Sequence, residues 1–288
     1  MRTQSRDTSP EMEQVQIAGL RAFAPAKKFA SVRSISASMH FAALKSEVHS
    51  GSDYQRTLAF LERCSPPTIV QAFRAAIPHP AEWVLSLFDV LPPLECVSSA
   101  LDQAHVPFAL AGSLACAIYG FPRGIRTIEF FVDLDPYQAT ALVQRIRCEQ
   151  LVPTSGWSLK VEKSQPLGLL FLPSLVGVEL RLPSKFPFDR VVLTRPHRLA
   201  LDQGLPDVPV LAPEACVLQG VVHYQATGAC DDDLYNELLG VLKIQAPTLD
   251  QGALVTFASV LGAQEILTHL LEDAGIAGGH QAFATDAP

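Results

Sequence analysis

The chain has 288 residues, of which 48% are hydrophobic and only 18% charged, so it is not a disordered polymer and is long enough for one large domain or two modest ones. Its net charge of −7 argues against broad duplex DNA binding. Six scattered cysteines (Cys64, Cys96, Cys116, Cys148, Cys216 and Cys230) form no CxxC pair, which argues against a zinc site and for free, mostly buried thiols in a reducing compartment.

Apolar runs are too short, or too often broken by Pro, Arg and Asp, to cross a bilayer, so no membrane role is expected. The amino terminus mixes Arg2, Arg6 and Asp7 with Glu11 and Glu13, which suits no export signal, and the expected location is cytoplasmic.

Residues 1–50 hold seven Lys or Arg against four Asp or Glu, with Ser-rich stretches, and are expected to form a loosely ordered basic tail. Val15, Ile17, Leu20 and Phe23 give it one weak amphipathic, helical pattern. Residues 51–93 read as a helical module of three Pro-punctuated helices, "YQRTLAFLERC", "TIVQAFRAAI" and "AEWVLSLFDVL", with Trp83 and Phe88 as core. Residues 94–200 read as an α/β core. It opens with a helix from Leu94 to about His105 and the strand "VPFALA". The strand "TIEFFVDL", a helix "YQATALVQRIRCEQL" and β-like runs "SLKVEK", "LGLLFLP", "GVELRLP" and "FDRVVLT" follow. Residues 201–276 read as helical, in "PEACVLQGVVHYQAT", "DDLYNELLGVLKI" and "DQGALVTFASVLGAQEILTHLLEDA". Residues 277–288 are expected to be a flexible tail.

The stretch that carries chemistry is "LAGSLACAIYGFPRGIRTIEFFVDL", Leu110 to Leu134. A helix opening at Gly112-Ser113 directly after a strand points free backbone N–H groups at an anion. On the next strand Thr127 and Glu129 are two residues apart and share a face. Glu129 and Glu179 lie among apolar neighbours, where a carboxylate needs a partner, either a cation or an arginine. For Glu129 the expected partner is Arg126, Arg123 or a cation. Arg181 is expected only to lie alongside Glu179, since it follows two residues later on the same strand face. The acidic run Asp231-Asp232-Asp233 is explained by a helix amino terminus, whose dipole attracts acids.

The segment from Leu94 to Ala274 resembles the nucleotidyltransferase fold, in its minimal or AbiEii-type abortive-infection-toxin group. The match rests on "LAGSLACAIYGFPRG", then on "RTIEFFV" where an Asp-x-Asp strand would stand, and on "GVELRL" where a third carboxylate would stand. The resemblance implies an α/β, nucleotidyltransferase-like mixed sheet with flanking helices, and helical amino- and carboxy-terminal regions. It implies Glu129, Glu179 and Thr127 as the catalytic set, with Glu129 and Glu179 holding Mg²⁺ or Mn²⁺. It assigns Gly112, Ser113, Arg123 and Arg126 to the phosphates of an NTP. The chain departs from the pattern in its charges. Thr127 is neutral, both remaining acids are glutamates, and two expected lysines are replaced by Gln219 or Gly220 and by Asp232. The expectation is therefore an eroded site, a possible pseudoenzyme that binds a nucleotide or a protein partner such as a cognate antitoxin or toxin. The rival readings are an active metal-dependent transferase acting on a protein or RNA acceptor, and a non-catalytic interaction module.

Overall fold

The computed structural model describes residues 2–5, 7–47, 51–65, 67–77, 89–134, 151–154, 166–183, 193 and 195–276. In chain order the elements are α1 (Pro10–Arg21), α2 (Pro25–Glu47), α3 (Asp53–Cys64), α4 (Pro67–Ala76), α5 (Leu91–Gln103), β1 (Phe108–Ala111), α6 (Gly112–Tyr119), β2 (Thr127–Val132), β3 (Leu151–Pro153), β4 (Leu167–Phe171), β5 (Val176–Arg181), β6 (His197–Leu199), β7 (Val208–Val210), α7 (Pro213–Ala226), α8 (Asp232–Gln245), α9 (Gln251–Val260) and α10 (Gln264–Ala274). The chain is thus α/β, with a mixed sheet and flanking helices, as the sequence implies. It divides into two compact units that cut across the expected linear segments. One comprises Met1–Ala30, Ala111–Pro122 and Thr194–Pro288; the other comprises Ser31–Leu110 and Arg123–Leu193.

In the second unit the strands run in the order β3-β4-β5-β2-β1. β2 and β5 are parallel, while β4 is antiparallel to β5 and β3 antiparallel to β4. Period-two alternation sends Ile128, Phe130 and Val132 of β2, with Val176, Val178 and Leu180 of β5, to one buried face. Phe108 of β1 packs on Phe130 at 6.0 Å between ring centroids. The opposite face carries Thr127, Glu129, Gly177, Glu179 and Arg181, all half-buried. α3 starts with a capping box at Ser52 and Gln55, and its Tyr54 stacks on Phe73 of α4 at 5.3 Å.

The first unit is organised around α8, which packs against α1, α6, α7 and α10. Its inner face buries Leu238, Leu239, Val241, Leu242 and Lys243. Gly120, just past α6, lets that helix end meet α8 closely: a Cβ there would lie 2.9 Å from the Val241 backbone nitrogen. Lys243 is fully buried and ion-pairs at 2.9 Å with Glu13 of α1, also fully buried. Lys243 donates as well to the Arg2 carbonyl, and the Gln4 backbone N–H donates to Glu13 Oε1 at 2.5 Å. Arg21 donates to the carbonyls of Lys243 (2.6 Å) and Ile244 (3.1 Å), closing the carboxy-terminal end of α8.

These contacts overturn the expectation of a loosely ordered basic tail over residues 1–50. Pro10–Arg21 and Pro25–Glu47 are helices, and Ile17, Phe29 and Val32 are core. Composition counts every charge as solvent-seeking. Here Glu13 and Lys28 are among the most buried side chains of the segment, and each has polar partners. The carboxy-terminal run expected as one helix is two, α9 and α10, separated at Gly262 with φ +67. β3, β6 and β7 have three residues each, too few to show an alternation in sequence. The helices "AEWVLSLFDVL" (with Trp83 and Phe88) and "YQATALVQRIRCEQL" lie outside the described residues. So do the strand "SLKVEK", most of "FDRVVLT" and the tail 277–288. Among the described residues Cys116 and Cys216 are buried, Cys96 half-buried and Cys230 exposed, all as free thiols. No helix among them is long and apolar enough to cross a membrane.

Two stability predictions follow from the first unit. Removing one partner of the buried pair, as in Glu13→Ala, leaves an uncompensated ammonium and is expected to cost about 3–5 kcal/mol in urea unfolding. The double change Glu13→Leu with Lys243→Met should recover most of that loss. Lys28 is 3% exposed and donates to the Tyr119 carbonyl at 3.1 Å, and burial pushes its amine down to about 8 from an ordinary 10.5. Between those two values the unfolded chain holds the proton and the folded chain has released it, so this group makes stability rise with pH. Below pH 8 it is destabilising, and Lys28→Met is expected to abolish the rise; melting curves from pH 7 to 10 check this.

Candidate functional site

The polar face of β2 and β5 is built by register. Thr127 stands opposite Gly177, Glu129 opposite Glu179, and Phe131 opposite Arg181. Paired residues on adjacent strands point the same way, so the two glutamates are neighbours across a strand spacing of about 4.8 Å. Gly177 is what admits Thr127, since a Cβ at 177 would sit 2.8 Å from the Thr127 hydroxyl oxygen. On the far side of Glu179, β4 presents Gly168, which adds no side chain to the row.

Two carboxylates this close repel by roughly 3–4 kcal/mol at an effective dielectric near 20. Arg181 answers that charge. Its Nε lies 2.6 Å from Glu129 Oε2 and its Nη2 lies 3.6 Å from Glu179 Oε2. The expectation that Arg181 only lies alongside Glu179 is therefore corrected. Its planar fork reaches sideways to the register partner, Glu129, as well as along its own strand. Glu129 is the best shielded of the three at 17% side-chain exposure, against 34% for Glu179 and 37% for Arg181. Solvent screens the outer half of the cluster, so its net worth is about 1 kcal/mol rather than the bare Coulomb figure.

Gly112 and Ser113 belong to the other unit. Gly112 has φ +60 and opens α6, whose N-cap residue Ala111 makes no side-chain hydrogen bond to the first turn. The Ser113 hydroxyl donates to Glu237 Oε1 of α8 at 3.1 Å. A carboxylate thus already occupies the hydroxyl expected to meet phosphate, and its charge opposes an incoming anion. Gly220 and Asp232, at positions where the resemblance implies lysines, lie in the same unit. Gly220 faces Leu238, whose Cδ2 would lie 2.3 Å from an added Cβ, so a longer side chain there needs Leu238 to move. Asp232 is exposed in the first turn of α8, where Asp231 is the N-cap and accepts from the Leu234 N–H at 3.0 Å.

Arg123 is half-buried and Arg126 is exposed; the Arg126 carbonyl accepts from the Gly177 N–H at 2.9 Å. Among the described residues, the arginine that meets Glu129 is Arg181. Two residues that matter most here, Arg181 and Glu237, were not among the sequence candidates. The signal for Arg181 was the "VELR" spacing; nothing local marks Glu237.

The metal implied by the resemblance does not fit this arrangement. Mg²⁺ takes hard oxygen ligands, including one or two carboxylates free to bind it. Here both carboxylates face a guanidinium, the third position is a neutral threonine, and the charges of Glu129, Glu179 and Arg181 sum to minus one. Among the described residues no group of three or more His, Cys, Asp and Glu side chains is placed to hold a metal ion.

If Arg181 offsets the in-register charges, Arg181→Ala should lower stability by about 1–2 kcal/mol, and adding Glu129→Gln should restore more than half of it. A double-mutant cycle by urea unfolding measures this; independent, additive losses would contradict it.

No protein-family model matches the chain, and no curated protein matches its sequence. Solved structures similar to it include an antigenic nucleotidyltransferase-like protein from Paracoccidioides brasiliensis. That likeness is at 14% identity over 63% of this chain and 91% of the other, with a TM-score of 0.41. The antibiotic-resistance factor ANT(2'')-Ia is similar at 11% identity over 62% and 98%, with a TM-score of 0.38. A Thermotoga maritima CCA-adding enzyme, in complex with tRNA, is similar at 11% over 76% and 56%, with a TM-score of 0.25. Identities and scores this low describe a loose likeness of chain path, and they carry no residue role to this chain.

Proposed function

We propose that this chain is a nucleotidyltransferase-like protein whose metal-carboxylate site is eroded, and that it acts by binding rather than by metal-dependent nucleotidyl transfer. The observation that carries the reading is the Arg181 guanidinium set against both Glu129 and Glu179. Nucleotidyl transfer needs cations that neutralise the charge of the reacting phosphates and align attacking and leaving oxygens. Glu129 and Glu179 instead spend their charge on a side chain of their own strand pair, and Thr127 adds none.

Two features of the first unit support a residual anion site of low affinity. α6 starts at Gly112 without a side-chain cap, a geometry that suits an anion, and Ser113 offers a hydroxyl. Glu237 holds that hydroxyl and repels phosphate. A nucleotide would therefore be bound weakly and without turnover. The regulatory setting, a toxin–antitoxin or phage-defence system with a protein partner, is proposed on the sequence resemblance alone.

Incubation with each α-labelled NTP, with Mg²⁺ or Mn²⁺ and a panel of RNA and protein acceptors, is expected to give no label transfer. Transfer that Glu129→Gln abolishes would overturn the reading. Millimolar nucleotide is expected to raise the melting temperature only slightly. Glu237→Gln should strengthen that shift by removing the opposing charge, and Ser113→Trp should erase it.

A further inference from the structure

We propose that the outer face of α1 is a self-association surface, on which a second copy of this chain docks through its own α1, antiparallel and about a two-fold axis. The inference goes beyond the proposed function. It does not depend on the acidic face of β2 and β5, which belongs to the other unit.

α1 presents apolar residues on two sides. Ile17 is buried on the inner side, beside Glu13, and the helix packs there against α8. The outer side carries Met12 at 56% exposure and Val15 at 68%, two of the five exposed large apolar side chains among the described residues. They stand about one helical turn apart, and Gly19 and the exposed Ala22 follow on the same face. A Cβ at Gly19 would meet nothing within 4 Å, so the face is open at that point. Large residues lead the stripe and small ones end it. A two-fold pairing that opposes Met12 with Ala22 and Val15 with Gly19 seats each bulky side chain of one copy against a small residue of the other. It also lets the two backbones approach closely. Charge selects the same arrangement. Exposed Glu11 lies at one end of the stripe. Exposed Lys27 lies at the other, its Nζ 3.6 Å from the centroid of the Phe23 ring. Antiparallel packing brings Glu11 of one copy to Lys27 of the other at both ends, whereas parallel packing would oppose like charges. The 12 residues of α1 span about 18 Å. A face of that length buries less than the ~1,200 Å² of a stable complex, so the dimer is weak and reversible, with Kd on the order of 100 µM.

The test is analytical ultracentrifugation of the full chain from about 5 to 500 µM, a range that brackets the expected Kd. The apparent mass of the native protein should rise from 31.2 kDa toward twice that value. Val15→Lys and Gly19→Leu should each weaken association at least about tenfold. Gly19→Leu fills open space and favours the helix, so it should not lower the melting temperature. Glu11→Lys alone and Lys27→Glu alone should also weaken association, because each sets like charges together at both ends. Mixing these two proteins should restore it, since every Glu11–Lys27 contact between the unlike copies is then of opposite sign. Three results would each overturn the proposal. One is a native mass that stays at the monomer, or climbs past the dimer, across the whole range. Another is association that survives both Val15→Lys and Gly19→Leu. The third is a mixture of folded charge variants that associates no better than either alone. Should a charge variant not fold, Val15→Lys and Gly19→Leu decide the matter. None of these readouts involves a nucleotide, so failure here leaves the proposed function standing, and label transfer by the native protein would leave the dimer standing.

Discussion

Glu129 and Glu179 stand side by side because β2 and β5 are parallel and in register, and that adjacency compels a cation. Each glutamate alone would be an ordinary half-buried acid. Together, across one strand spacing, they create a local field that the fold must answer. Arg181 answers it from the same strand as Glu179, with a planar fork that spans both acids. The electrostatic character of this face follows: among the described residues, one guanidinium offsets half of the charge of the two acids. Thr127 and Gly177 complete the row through packing rather than charge, a hydroxyl filling the space that a missing Cβ leaves.

The other unit solves a comparable problem by deeper burial. Lys243 and Glu13 are both withdrawn from water, and each acquires further hydrogen bonds, from Lys243 to the Arg2 carbonyl and from the Gln4 N–H to Glu13. A buried pair of this kind adds little net stability relative to apolar packing, yet losing one member is costly. Its consequence is specificity of placement: α1 is held at one position on α8, and Arg21 closes the end of the same helix. Residues near the amino terminus are thereby structural, although their composition resembles that of a tail.

Ser113 and Arg181 show the same kind of departure in two separate units. In each, a group that suits a ligand is held by a side chain of the ligand's own charge type, a carboxylate at the serine and a guanidinium at the acids. Gly220, where the resemblance implies a lysine, is packed against Leu238. Internal charges satisfied by internal partners leave less free energy for binding mobile ions, which is the physical sense of the erosion proposed for this site.

Local chain chemistry by itself determined many of the elements. The strand-to-helix change at Gly112, the alternation that put Ile128, Phe130 and Val132 on one side and Thr127 and Glu129 on the other, and the Pro-led start of α7 are legible in residue order. It also determined that Glu129 and Glu179 needed partners, because carboxylates among apolar neighbours are costly. Tertiary structure alone decided who those partners are. The register between β2 and β5 joins positions fifty residues apart, and Lys243 meets Glu13 across a separation of 230 residues. Periodicity encodes which face a side chain occupies, whereas a partner is set by how faces are brought together. That is why Arg181, two residues from Glu179 in sequence, could be recognised as its neighbour but not as the bridge to Glu129.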